Sequence, residues 1–302
     1  MAGTPVAVQY PLALPTVNGN EITIDLMLKQ PERITTYISD ITLQNFWADR
    51  IFSGAGGVSG GALLYSQLMA NDLYPERDIQ NIEPGAEFPN VTFARPGPKV
   101  AYVEKFGGKF DVTDEAVDRN DPTLLQQGSL KLANAINRGI HRRALATLDA
   151  SIAAIGSDVQ MTGTSWADAA ALTLTTTNNA ALPAADFAKT KLKADTFELG
   201  ATFNLWFVNP QEWYNFHVIY GDKATAALAA NNVELVSTNR VTAGEAYVVA
   251  EGQVGQMRLE KPLTTETERT MSTESTTVQS SVRPLFAVTN PYNILKVTGL
   301  AA

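Results

Sequence analysis

The chain has 302 residues, 45% of them apolar, with 31 acidic and 23 basic side chains and a formal net charge of −8. It has two histidines, His141 and His217, and no cysteine, which excludes disulfides, thiolate metal sites, cysteine nucleophiles and iron–sulfur clusters. The acidic balance speaks against a protein that grips nucleic acid along a basic face, and the apolar fraction is that of a folded chain.

Residues 1–37 carry Pro5, Pro11, Pro15, Gly19 and Pro31 between short apolar pieces. Proline lacks an amide donor and blocks helix, so this stretch is expected to be an extended arm. Ile22, Ile24 and Leu26 alternate with Thr23 and Asp25, a period that predicts one short strand. An apolar arm needs a surface to lie on, which a neighbouring copy would provide. No basic-then-apolar leader precedes it, so no secretion signal and no membrane partner are expected.

Residues 39–52 predict a helix capped by Ser39, with Ile41, Phe46, Trp47, Ile51 and Phe52 mostly on one side. Gly54–Gly61 reads as a flexible break. Residues 62–110 read as strands joined by long turns at Pro75, Pro84, Pro89 and Pro96. Val100, Tyr102 and Glu104 alternate with Ala101 and Val103, then Gly107 and Gly108 predict a hairpin turn into a partner strand Lys109–Thr113.

Asp121 and Pro122 form a helix start. From there Leu125, Leu132, Ile136, Ile140, Ala144, Leu148, Ile152 and Ile155 trace one slowly drifting stripe, closed by Gly156. The spacing predicts a helix of about 33 residues and about 50 Å. Arg138, His141, Arg142 and Arg143 cluster near its middle, as a solvated or inter-subunit face with His141 neutral.

Residues 160–260 predict mixed α/β structure. Expected are a helix over Ala184–Ala194, a buried strand over Phe203–Val208, and a helix started by Asn209, Pro210 and the acid Glu212 and stopped at Gly221. Strands are expected over Val233–Val236 and Ala246–Ala250. Threonine-rich residues 262–283 predict a long polar strand pair, and Ile294–Val297 closes the chain.

Chemistry-bearing motifs are sparse. Gly57, Ser59 and Gly61 match a nucleophile elbow in letters, but that motif needs a strand before it and a helix after it, and a helix is predicted before it. A serine hydrolase using Ser59 with His217 is therefore a remote alternative. Glu83, Glu87, Asp111, Asp114 and Glu115 lack cation-loop spacing and read as solvated acids. Trp206, Phe207, Trp213, Tyr214, Phe216 and Tyr220 read as core, with His217 packed and hydrogen-bonded among them. No cofactor or metal is expected.

The order of these pieces resembles the major capsid proteins of tailed bacteriophages with the Hong Kong 97-type fold. Four stretches carry the resemblance: Ile82–Pro89, like the acidic turn of the extended loop; Val100–Glu115, like its return strand and the step before the spine helix; Leu205–Pro210, like the axial strand ending in Asn-Pro; and Arg283–Pro291, like the late strand that closes the peripheral domain. The resemblance implies an α+β chain with an arm and short helix over 1–52, an extended loop over 53–110, a spine-helix domain over 111–159, an axial domain over 160–255 and a peripheral return over 256–302. It implies a non-enzymatic virion subunit that forms hexamers and pentamers of an icosahedral head around double-stranded DNA, assembled in the host bacterial cytoplasm. A separate scaffolding protein, a portal and a decoration protein are the implied partners. An encapsulin-type nanocompartment shell protein is the alternative with the same fold. On burial logic, the assembly contacts are expected at Ile22, Ile24 and Leu26 of the arm and at Glu83, Glu87 and Phe88 of the loop.

Overall fold

One long helix organises the molecule. In the computed structural model, the described residues are 24–44, 46–69, 81–85, 87–88, 97–119, 121–167, 172, 174 and 178–301. Before the long helix come α1 (Ile24–Lys29), α2 (Pro31–Gln44), α3 (Ala48–Ile51), β1 (Phe52–Gly57), β2 (Ala62–Tyr65), β3 (Lys99–Tyr102), β4 (Phe106–Thr113) and α4 (Asp114–Asp118). The long helix is α5 (Thr123–Ile155). After it follow β5 (Gln160–Thr162), α6 (Pro183–Phe197), β6 (Leu205–Val208), α7 (Pro210–Tyr220), α8 (Ala224–Asn231), β7 (Glu234–Ser237), β8 (Glu245–Val249), β9 (Gly255–Thr270), β10 (Ser275–Ala287) and β11 (Ile294–Thr298).

The α5 stripe is as its spacing predicts. Leu125, Leu132, Ile136, Ile140, Ala144, Leu148 and Ile152 are buried, and Gly156 ends the helix with φ 89°. Asp121 Oδ1 accepts from the Thr123 amide at 3.0 Å and so satisfies one of the free donors of the first turn. The threonine-rich pair is also present: β9 and β10 run antiparallel, Ser275 opposite Thr270 through Ala287 opposite Gln256. They are the middle of a four-stranded sheet in the order β1-β9-β10-β4. A second sheet, β5-β11-β8-β6-β7, has five strands. Its β6 is buried on both faces. Leu205 and Phe207 join the core beneath α5, whereas Trp206 and Val208 join a second core with Phe187 of α6 and Phe216 of α7.

Several expectations fail for identifiable reasons. Ile24 and Leu26 lie on helix α1, not on a strand, and Ile22 lies outside the described residues. Ile24, Met27 and Leu28 share a helical face and are all buried in the main core, with α2 packed beside α1 and Thr267 Oγ1 of β9 donating to the Leu28 carbonyl at 3.0 Å. The Lys29 ammonium also bonds the Asp25 carboxylate one turn back at 2.6 Å. Pro31 starts α2 rather than breaking a helix, since a first-turn proline gives up no hydrogen bond. Ser39 is consequently in mid-helix, and the predicted 39–52 helix is instead the end of α2, then α3, then the first strand residue Phe52.

The first half of the expected glycine-rich break, Gly54–Gly57, belongs to strand β1, and only Val58–Gly61 lies between strands. β1 pairs in parallel with β9, Phe52 opposite Gly255, Ser53 opposite Gln256 and Gly54 opposite Met257. Gly107 and Gly108 are not a turn but lie inside β4, which pairs with β10 across Ser275–Val282. The reason is close approach: a Cβ on Gly107 would stand 2.5 Å from the Ser280 carbonyl oxygen. Across the same interface the Phe110 ring rests on Gly128 of α5, where a Cβ would meet it at 2.5 Å. β1 and β4, at the two ends of the 53–110 stretch, are thus the two edge strands of the four-stranded sheet.

Candidate assembly surfaces

One exposed apolar feature of the described residues is a two-stranded ribbon. β2 and β3 pair antiparallel, with Leu64 opposite Val100 and Ala62 opposite Tyr102. Strand alternation sends Leu63, Tyr65 and Ala101 to one face, where they pack on Leu285 and Ala287 of β10. The other face has no such cover among the described residues. Leu64 there is 67% exposed and Tyr102 66%, with Val100 between them. A half-buried strand ordinarily turns polar residues outward, so an apolar outer face marks a contact surface.

The ribbon is firmly rooted. The Lys99 ammonium bonds the buried Gln67 side chain, whose amide nitrogen in turn donates to Ser151 Oγ of α5 at 3.1 Å and to the Val288 carbonyl at 3.3 Å. Just past β3, Glu104 pairs with Arg143 of α5 at 2.9 Å. Part of the basic cluster thus braces the ribbon's base.

The expected assembly residues separate into two groups. Ile24 is buried in the chain's own core; Leu26 is on α1, and Ile22 is outside the described residues. Glu83, Glu87 and Phe88 are exposed, with Phe88 82% accessible. Two further exposed features escaped the sequence reading. Met271, 81% exposed, sits at the tip of the β9–β10 hairpin. On α7, Trp213, Tyr214 and Val218 face outward, whereas Phe216 and Tyr220 are buried as expected. A spacing of i, i+1 and i+5 around Phe216 was available in the sequence, but the aromatic content on both sides of the helix concealed which face was core.

The motif residues are held in unremarkable ways. Ser59 is exposed and lies between strands β1 and β2, so the strand–turn–helix of a nucleophile elbow is not formed. His217 stacks on Trp213 at 3.9 Å between ring centroids, with Nδ1 2.9 Å from the Trp213 carbonyl. Glu212, expected to cap its own helix, is buried and accepts from the Gly244 amide at 2.7 Å, while Asn209 Oδ1 caps the Gln211 amide at 3.1 Å. Asp114 pairs with Arg269 at 2.5 Å, and Asp111 accepts from Thr277 Oγ1 at 2.6 Å. Among the described residues no acidic and histidine cluster suits a metal ion, and no helix is long and apolar enough to cross a membrane.

His141 is the structural residue of the basic cluster. It stacks on Trp47 with ring centroids 4.2 Å apart, and its Nε2 accepts from the Trp47 amide at 3.4 Å. Burial, aided by the nearby Arg240 charge, pushes its pKa down to about 4, so the ring is neutral as expected.

The fold as a whole is shared with solved structures. A virus-like particle from Pyrococcus furiosus superposes with a TM-score of 0.59 at 11% identity, over 88% of this chain and 98% of that one. Mycobacterium phage Bobi gives 0.58 at 12% identity, over 85% and 89%. The capsid of Myoviridae phage XM1 gives 0.52 at 14% identity, over 85% and 91%. The fold is the Hong Kong 97-type fold of shell-forming capsid proteins. No curated protein sequence matches the chain. The profile of the phage capsid protein family, however, matches residues 97–297, two thirds of the chain, and the chain belongs to that family.

Proposed function

We propose that this chain is the subunit that tiles an icosahedral phage head, assembling as hexamers and pentamers around packaged double-stranded DNA. The apolar outer face of the β2–β3 ribbon, with Phe88 beyond it, carries the reading. Leu64, Val100 and Tyr102 are held on a rooted element but have no described partner in their own chain, so a neighbouring copy supplies the missing cover. Arm residues before Ile24 would contribute a second contact between copies. A separate scaffolding protein, a portal and a decoration protein are the partners such a head requires, and the virion, assembled in the host cytoplasm, is its location.

The match to a virus-like particle supports a second reading, a nanocompartment shell of the encapsulin type, because its TM-score of 0.59 is no lower than those of the phage structures. Contents separate the two readings: nucleic acid in a head, an enzyme cargo in a nanocompartment. Electron microscopy of the purified protein, with a scaffold co-expressed where needed, tests both. Closed shells are the expected result, and persistently monomeric particles would overturn both readings.

A further inference from the structure

One cleft of this molecule shares no residue with the ribbon face. It lies between α5 and the turn that follows β7, has a volume of about 450 Å³, and contains two arginines, Arg138 of α5 and Arg240 of the turn. Neither guanidinium has a carboxylate partner among the described residues, and unlike Arg50, Arg143, Arg269 and Arg283, which are paired, these two line one cleft together. No aspartate or glutamate lines the cleft. In a chain of net charge −8 this is an uncompensated pocket of positive charge.

The remaining lining adds neutral donors. The amide of Asn239 stands on the same turn as Arg240, and the hydroxyl of Ser237 at the end of β7. His141 Nε2 is occupied as an acceptor by the Trp47 amide, so the neutral ring carries its proton on Nδ1, a further donor. Asn137 is 7% exposed, and its Oδ1 is buried without a hydrogen-bond partner. That oxygen is shut off from the cleft, so Asn137 frames the site and the donors around the two arginines define its chemistry.

We infer that this cleft binds a phosphate group, held between Arg138 and Arg240 with the neutral donors around it. Arginine forks suit the oxygens of a tetrahedral oxyanion, and the donors outnumber the oxygens of a single carboxylate. A cleft of about 450 Å³ has room for a free phosphate ion. Bound phosphate would tie the long helix to the β7 turn and so stiffen the junction between the two sheets.

The test is calorimetric titration and thermal melting of the full chain with two probes, inorganic phosphate and a 12-base-pair DNA duplex, at matched ionic strength. Wild-type protein is expected to bind phosphate and to melt about 2 °C or more higher in phosphate than in chloride. Arg138→Gln and Arg240→Gln are each expected to weaken binding about tenfold and to abolish that shift, with partial recovery in Arg138→Lys. Arg142→Gln, on the same helix but outside the cleft, is expected to change nothing. Phosphate binding stronger than duplex binding supports the inference as drawn; equal binding of both supports a phosphate site that reads the nucleic-acid backbone. No binding of either probe, or binding unaffected by both glutamine variants, overturns it. Shells that weaken in those variants without any phosphate binding also overturn it, in favour of a neighbouring copy's carboxylate. Shell formation by wild-type protein is scored separately, so failure here leaves the capsid reading standing.

Discussion

Arg50 grips Glu234 with both prongs of its guanidinium, Nη1 and Nη2 each 2.7 Å from a carboxylate oxygen, while its Nε bonds Glu251 at 2.7 Å. The clamp joins the short helix α3, before the four-stranded sheet, to the edge strand β7 of the five-stranded sheet. Bidentate geometry makes this the best-formed ion pair of the described residues, yet Glu234 is 59% exposed and the pair is screened by solvent. Glu234→Gln is therefore expected to cost about 1 kcal/mol in chemical denaturation at pH 7. Arg50 holds the Glu234 carboxyl below the ordinary glutamate range. A depressed pKa contributes stability above the unfolded value and loses it as pH falls through the folded one, so the variant should show a shallower acid-side decline.

His141, like the Glu234 carboxylate, loses stability as pH falls, but through burial of a neutral ring and over a higher pH range. Its pKa of about 4 in the folded chain lies below the 6.5 of a free histidine. Protonation therefore favours the unfolded chain, and the histidine's stabilisation is complete above pH 6.5 and lost as pH falls from 6.5 towards 4. The loss amounts to at most about 3 kcal/mol. His141→Phe keeps a ring on Trp47 but removes both the titration and the acceptor for the Trp47 amide. It should lower stability at pH 7.5 by about 1 kcal/mol and flatten the decline between pH 6.5 and 4. Urea midpoints measured across that range check both outcomes.

The long helix is sensitive where it meets β4. Gly128→Ala places a methyl group 2.5 Å from the Phe110 ring, and Gly139→Ala places one 3.0 Å from Phe106. The first substitution is expected to destabilise by about 1–3 kcal/mol through overpacking, despite alanine's better helix propensity. The second should cost less, because the ring edge has less distance to give. Paired denaturation curves decide the ranking.

Deletions can separate the arm from the core. Removing residues 1–30 takes away Ile24, Met27 and Leu28, all buried, and should damage the monomer itself. Met27→Ala alone is expected to cost about 2–4 kcal/mol. Removing residues 1–22 leaves that core intact. On the proposed function it should block shell formation with an unchanged melting temperature, as read by sedimentation and calorimetry.

The ribbon face allows a cleaner test of assembly. Leu64→Glu and Tyr102→Glu place charges on exposed positions, where the fold should lose no more than about 0.5 kcal/mol. On the proposed function each variant should stay as unassembled subunits in electron micrographs. Normal shells from both would remove the ribbon from the assembly contacts.

The elements that could be read from sequence were those whose signal is local and long. The α5 stripe from Leu125 to Ile152 needs only its own periodicity, and Asn209-Pro210 marks a helix start through the bonds of its own first turn. The threonine-rich pair β9–β10 announced itself by composition. The misread stretches are those whose state is set by a distant partner. Ile24, Met27 and Leu28 make a helix because the main core buries their shared face, and the alternation of Ile22, Ile24 and Leu26 carries no knowledge of that core. Gly54 and Gly107 sit in strands because Met257 and Ser281 lie opposite them, where isolated glycines suggest turns.

By itself, then, the sequence determined the long helix, the polar hairpin, the lack of cysteine chemistry and the order of pieces that resembles a capsid subunit, because composition and periodicity are properties of neighbouring residues. Only the tertiary structure decided which apolar residues the chain buries for itself and which, like Leu64, Tyr102 and Phe88, it leaves exposed. It also decided that Arg138 and Arg240, 102 positions apart in the numbering, share one cleft without a carboxylate between them. Burial and charge pairing depend on contacts made across the whole fold, and no local pattern encodes them.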